Sequence, residues 1–276
     1  MATAYTTIRL TVEAGLARLR LARTEQRNAI TPIMMAELAD AFERLGRDSS
    51  VRALVLRGSG GWFSAGGDFE TMADMPPPPP AGQADPLVAG YRQFGDAMER
   101  LDSLPFATIA VVEGAAVGGG FGMACACDIV ILSAAARFGI PEPRAGFIPS
   151  QILPYLVRRL GEGTVRDLAV TGRVIDAGEA FRRGLGSYLC VDAESVERTL
   201  AGVLADIGKQ EPDALAAVKR LVLACRSGHD RQVMDEAAAT LAGLLRRPQA
   251  REGMAAFKAR RAPPWVAGLG GSGDDA

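Results

Sequence analysis

Three stretches of the chain are almost unbroken runs of apolar residues: VRALVLRG (51–58), TIAVVEG (108–114) and DIVILSA (128–134). A strand with one wet face alternates apolar and polar side chains. A continuous run needs cover on both faces, which inner strands of a parallel sheet receive from flanking helices. The segments between the runs fit that demand. Thr31-Pro32 marks a helix start, with Thr31 as N-cap and Pro32 at the first helical position. Met35, Leu38, Phe42 and Leu45 then recur at helical spacing to about Gly46. A second helix is expected over 87–103. Strand–helix–strand units of this length imply parallel pairing with right-handed crossovers. Ahead of them, residues 6–22 alternate as two strands about an Ala14-Gly15 turn, a hairpin.

From 149 onward the pattern turns helical. Ser150 is placed to cap QILPYLVRRLG, GEGTVRDLAVTG and DAGEAFRRGLG follow, and only YLCV (188–191) still reads as a strand. Residues 195–261 read as helices alone, with apolar faces too extended for one subunit to cover, so they are expected to pack against other subunits. The chain thus divides into a core (1–193), a helical region (194–265) and a tail expected to be disordered (266–276). MPPPPPAGQADP (75–86) cannot join a helix or a central strand and reads as a stiff exposed loop.

The bulk properties exclude several functions. A formal net charge of -1 over 276 residues gives no basic field for nucleic acid or an anionic membrane. No segment has the length of a membrane span, and the N-terminus lacks a secretory pattern. Cys125, Cys127, Cys190 and Cys225 do not form a secreted disulfide framework, so a reduced, cytoplasmic chain is expected. The single histidine, His229, reads as a surface helix start. With no second histidine and the wrong cysteine spacing, no metal site is expected. Proton transfer must therefore fall to carboxylates, Lys or Tyr.

Two of the strands run into turns made of small residues. WFSAGGDF (62–69) follows the first, and GAAVGGGFGMACACD (114–128) overlaps the end of the second. A helix N-terminus carries free N–H groups and partial positive charge, and glycines let a ligand oxygen reach them. Two such turns, with one N–H from Gly67, could converge on one carbonyl oxygen as an oxyanion hole. The dinucleotide fingerprint fits poorly, because Met123 stands where its last glycine belongs.

EQRNAIT (25–31), FSAGGD (63–68), GAAVGGG (114–120), ACDIVI (126–131), ARFGIPE (136–142) and EGMAAFKARR (252–261), in that order, resemble the crotonase, or enoyl-CoA hydratase/isomerase, family. The resemblance spans about residues 6–265. It implies an α/β spiral of repeated strand–strand–helix units with a helical C-terminal trimerisation region, assembled as a homotrimer or a hexamer. It implies an acyl-CoA thioester substrate, with no cofactor beyond its coenzyme A, whose carbonyl is held by the N–H groups of Gly67 and Gly119. Ala65, Asp68 and the backbone around Arg27 and Ala29 would line the adenine and pantetheine groove. Arg260 would reach a phosphate, on its own or a neighbouring subunit.

Family hydratases with two glutamates place one two residues past the glycine triplet and one after F-G-x-P. Here the first position is Gly122 and the second is Glu142, so one carboxylate is present and one is missing. Three readings follow: a hydratase adding water to a 2-enoyl-CoA, an isomerase shuttling a proton on Glu142, and a thioester-binding paralogue with little turnover. The segment GFIPSQILPYLVRRLG (146–161) is similar to isohexenylglutaconyl-CoA hydratases, which favours the first. The structural alternative for Glu142 is a helix-entry or ion-pair carboxylate, for instance with Arg144.

Overall fold

The computed structural model describes residues 5–73 and 77–270. The hairpin forms as the alternation requires: β1 (Ile8–Glu13) pairs antiparallel with β2 (Leu16–Leu21), and Ala14 and Gly15 both take positive φ. Helix α1 (Pro32–Arg47) starts where expected, the Thr31 hydroxyl accepting from the Met34 N–H. It buries Met34, Leu38, Ala41, Phe42 and Leu45.

Next come β3 (Ala53–Gly58), the short α2 (Phe69–Ala73), and α3 (Pro86–Ser103), capped by the Asp85 carboxylate. Residues 77–85 form no helix or strand; positions 75 and 76 of the proline loop lie outside the described residues. β4 (Ala107–Val112) leads through β5 (Ala115–Val117) into α4 (Gly119–Ala126), and β6 (Ile129–Ser133) leads into β7 (Arg137–Gly139).

Each inner strand therefore continues into a short segment of a second layer before its helix. The main sheet runs β1-β2-β3-β4-β6-β9, and β2-β3-β4-β6-β9 are all parallel. The second sheet runs β5-β7-β8, extended by a bridge from Ser64 to Ala116. That repeat, strand then cross-strand then helix, is the expected spiral.

Helices α5 (Leu153–Leu160) and α6 (Glu162–Thr171) follow, then β8 (Val174–Asp176), α7 (Ala177–Arg182) and β9 (Tyr188–Cys190). Two expectations are corrected here. Ser150 does not cap α5: Ile152 occupies the N-cap with no side-chain hydrogen bond, and Pro154 sits in the first turn. And Val174–Asp176 is a strand, too short to show a period, held by pairing with β7.

Helices α8 (Ala193–Gly208), α9 (Pro212–Ala224), α10 (Asp230–Leu245) and α11 (Pro248–Lys258) complete the described helical region. α8 packs on the main sheet, its Val196, Leu200, Val203, Leu204 and Ile207 joining Leu16, Val55 and Ile109. By contrast α9 and α10 bury no residue, and Val218, Val222, Met234, Leu241 and Leu245 are exposed. The tail expected to be disordered is placed through Gly270, because Leu269 is buried in that same cluster and the Ala267 N–H donates to the Gly208 carbonyl; residues 271–276 lie outside the described set. No helix among the described residues is long and apolar enough to cross a membrane.

One buried amide ties the first turn of the spiral together. Asn28 is fully buried at positive φ, and its Nδ2 donates to the carbonyls of Ser59 and Trp62, each at 2.9 Å. Asn28→Ala strands both carbonyls and places a Cβ residue in left-handed backbone with no local compensation. Stability should fall by roughly 2–4 kcal/mol, read from the urea midpoint at unchanged m-value.

Candidate active site

The two small-residue turns lie against each other. The Ser64 N–H donates to the Ala115 carbonyl, and the Val117 N–H donates back to the Ser64 carbonyl. Their glycines serve this approach first. A Cβ at Gly66 (φ +88°) would stand 2.9 Å from the Val117 carbonyl oxygen, and one at Gly120 would stand 2.6 Å from Ser64 Cβ. A Cβ at Gly119 would come within 2.7 Å of Ile30 Cδ1.

What this packing leaves free is the pair of N–H groups in question. Ile30 spends its own N–H on the Gly66 carbonyl and accepts from the Asp68 N–H, so the Gly67 N–H between them points away from that pairing. Gly119 is the first residue of α4, where an N–H has no intrahelical acceptor. Both glycines are half-buried and line the same cleft, of about 450 Å³.

The walls of that cleft are mainly apolar. Ile30, Met35, Phe94, Phe147, Ile148 and Ile152 are among them. Phe147 also meets Phe69 edge-on, with ring centroids 5.7 Å apart. Helix α3 contributes Leu87, Gly90, Tyr91, Gln93 and Phe94. Gly90 is unusual among these: a Cβ there would meet nothing within 4 Å, so no neighbour among the described residues requires glycine.

Two carboxylates face the cleft, Asp68 and Glu142, and their situations are opposite. Burial would raise the pKa of Asp68, but Arg23, at 2.7 Å, and the N–H groups of Thr71 and Glu70 outweigh it and hold the carboxyl below its usual range. Arg23 also donates to the Ala29 carbonyl at 2.6 Å. It thereby fastens the 23–30 turn to the start of α2. Sequence reasoning missed Arg23, since nothing local links it to a residue so far along the chain.

Glu142 has no such support. It is 8% exposed, and its Oε2 is buried without a hydrogen-bond partner. Burial pushes its pKa up, opposed by its own backbone N–H. Its Oε1 lies 2.6 Å from where a Cβ at Gly118 would stand, which puts the carboxylate beside the Gly119 turn. Glu142 does open a short helical turn, Glu142–Ala145, but the ion pair with Arg144 does not form; Arg144 donates to the Thr171 carbonyl instead.

The remaining predicted residues are dispersed. Ala65 donates its N–H to the Arg27 carbonyl beside the cleft, and the Arg27 guanidinium lies over the Trp62 ring at 4.8 Å from its centroid. Arg260 is exposed beyond α11 and does not line the cleft of its own chain. Cys125 and Cys127 are core residues whose thiols burial pushes up to about 12.

A spiral of strand–strand–helix turns with a cleft at the strand ends defines a crotonase-type α/β enzyme. The solved structures agree. AtuE of Pseudomonas aeruginosa superposes with a TM-score of 0.89 at 39% identity, over 95% of this chain and 100% of that one. An enoyl-CoA hydratase/isomerase from Marinobacter aquaeolei gives 0.88 at 37% identity, over 94% and 99%. An enoyl-CoA hydratase from Shewanella pealeana gives 0.86 at 27% identity, over 95% and 96%. The family model described as enoyl-CoA hydratase/isomerase matches residues 11–268. The chain belongs to the enoyl-CoA hydratase/isomerase family, whose members act on acyl-CoA thioesters, and it is a hydratase-like enzyme.

The structure also explains the missing second carboxylate. Gly122 is buried in α4, and a Cβ there would overlap Cγ2 and Cβ of Ile152. The space is already filled by a side chain from the α5 N-cap. Gly122→Glu alone should therefore lower stability by at least about 3 kcal/mol through overpacking and an unpaired buried carboxylate. Combined with Ile152→Gly, much of that loss should return, a non-additivity measurable by urea denaturation of the three variants.

Proposed function

We propose that the cleft binds a 2-enoyl-CoA with its thioester oxygen on the N–H groups of Gly67 and Gly119, and that Glu142 moves the proton that hydration requires. Glu142 takes a proton from water as the water oxygen bonds to C3. The C2–C3 π electrons shift toward the thioester, and the negative charge collects on the oxygen between the two donors. Glu142 then returns its proton to C2, so H and OH have been added and the carboxylate is restored. Each oxyanion donor in such a site is worth about 2.7–4 kcal/mol of barrier. A carboxyl with a raised pKa serves both halves of this cycle, and the buried, partnerless Oε2 of Glu142 is the observation that carries the reading.

The coenzyme A moiety would lie along Arg27, Ala29 and Ala65. Asp68, committed to Arg23 and α2, would act there by holding the loop. A phosphate contact from Arg260 would have to reach a neighbouring subunit's cleft. No group beyond the substrate's coenzyme A is needed for this chemistry. The cleft's apolar walls and the similarity of 146–161 to isohexenylglutaconyl-CoA hydratases support a bulky, branched acyl chain. Double-bond isomerisation is the second reading, favoured by the single unpaired carboxylate, since one base can carry a proton between C2 and C4.

Glu142→Gln tests both. Turnover should fall by roughly 10²–10⁴-fold with thioester binding nearly unchanged. In the wild type, oxygen-18 from labelled water should appear in the product; a product of unchanged mass sinks hydration in favour of isomerisation. The pH dependence has a definite sign. Because the folded pKa of Glu142 lies above its unfolded value, its contribution to stability is complete below the unfolded pKa and is lost as pH rises through the folded one. Glu142→Gln should lack that loss, so its melting temperature should gain on wild type toward neutral pH. The activity of wild type should rise with pH through the same folded pKa, above the usual glutamate range.

The exposed apolar side chains of α9, α10 and α11, including Phe257 at 86% exposure, support a helical interface between subunits in a homotrimer or a hexamer. Light scattering at micromolar concentration should give a mass of three or six chains; a monodisperse monomer contradicts the assembly.

A further inference from the structure

Glycine is needed where a chain turns left-handed or where another group comes too close for a side chain. Helix α3 carries two glycines, and they differ in this respect. A Cβ at Gly95 would overlap the Gln151 carboxamide, so the close approach of a neighbour accounts for that residue. At Gly90 neither reason holds. Its backbone is helical and lies outside the positive-φ set. A Cβ there would meet nothing within 4 Å among the described residues.

The position of Gly90 on the helix gives this empty space a direction. Leu87, Gly90, Tyr91 and Phe94 fall at i, i+3, i+4 and i+7, one stripe of α3, and all four line the cleft. Leu87 and Tyr91 are half-buried and Phe94 is buried, so the stripe has a gap where Gly90 stands. Phe94 anchors its inner end. A Cβ at Gly119 would stand 3.4 Å from Cε1 and Cζ of Phe94, which puts that ring against the oxyanion turn. Gly90 is one helical turn farther along, about 6 Å up the axis. Arg27, Ala29 and Ala65, where the coenzyme A moiety is proposed to lie, do not line this cleft. The apolar space along α3 is left for the other end of a thioester, its acyl chain.

We propose that Gly90 is a specificity-determining residue: the side chain it lacks makes room on α3, beyond Phe94, for the distal part of a long or branched acyl chain. This assignment rests on the reading of the cleft as an enoyl-CoA site. Phe94 would meet the carbons nearest the thioester in every substrate, and the space at Gly90 would be filled only by chains that extend past that ring. A side chain at position 90 therefore acts on long chains more than on short ones.

Wild type, Gly90→Ala and Gly90→Leu are compared as full chains on crotonyl-CoA, whose chain ends one carbon beyond C3, and on 2-decenoyl-CoA. Gly90→Leu should lower the ratio of kcat/KM for the decenoyl over the crotonyl substrate at least about tenfold, through KM rather than kcat, and Gly90→Ala by less. Calorimetric titration with the saturated butanoyl-CoA and decanoyl-CoA reads the same discrimination without turnover. Decanoyl-CoA should lose affinity relative to butanoyl-CoA in Gly90→Ala and more so in Gly90→Leu. Both variants should melt at or above wild type, since alanine and leucine are better helix formers than glycine. If neither enoyl-CoA is turned over but the binding preference shifts in this way, the hydration reading fails and the role of Gly90 stands. An equal effect on short and long chains, no effect on either, or no binding of either chain length overturns the proposal.

Discussion

Two turns can pack backbone against backbone only when neither puts a side chain between them, and the 64–67 and 117–120 turns meet that condition almost residue by residue. The exchange of hydrogen bonds between Ser64, Ala115 and Val117 fixes their distance. Gly66, Gly119 and Gly120 are each places where a single added carbon would push the turns or their neighbours apart. The direction of two backbone N–H donors depends on this contact. The Gly67 N–H is turned outward because Ile30 has taken the groups on either side of it, and the Gly119 N–H is free because it begins a helix. The glycine runs that suggested room for a ligand are first of all room for each other, and the donors are what that approach leaves over.

Much of this was legible in the chain itself. The continuous apolar runs gave the parallel order of the inner strands, and Thr31-Pro32 marked a helix start that the structure places within a residue. Gly67, Gly119 and Glu142 do line one cleft. What stayed hidden was whatever depends on a partner distant in sequence. Arg23 holds Asp68, Asn28 holds two carbonyls of the 59–62 turn, and Ile152 fills the space above Gly122; none has a local pattern to announce it. The strand Val174–Asp176 was missed because its extended form comes from pairing with β7 alone. The tail at Leu269 was missed for a similar reason, since glycine-rich sequence hides a single anchoring leucine.

The contrast between the two cleft carboxylates shows how one protein sorts chemically equal groups. Asp68 sits where an arginine and a helix start supply opposite charge, so it stays ionised and structural. Glu142 is buried with an unsatisfied oxygen and no nearby cation, so its proton is held more tightly and can be exchanged with something in the cleft. Ile152 keeps a second carboxylate from sharing that space.

Gly90 carries a different kind of consequence. Glycine within a helix costs about 1 kcal/mol relative to alanine, and here no neighbouring atom of the described residues demands it. Almost any replacement would make α3 more stable and the cleft narrower in the same step. Random change under selection for stability alone would thus erode the breadth of the cleft, with no unstable intermediate to resist it. Among the described residues, the width at this point is therefore not a by-product of packing.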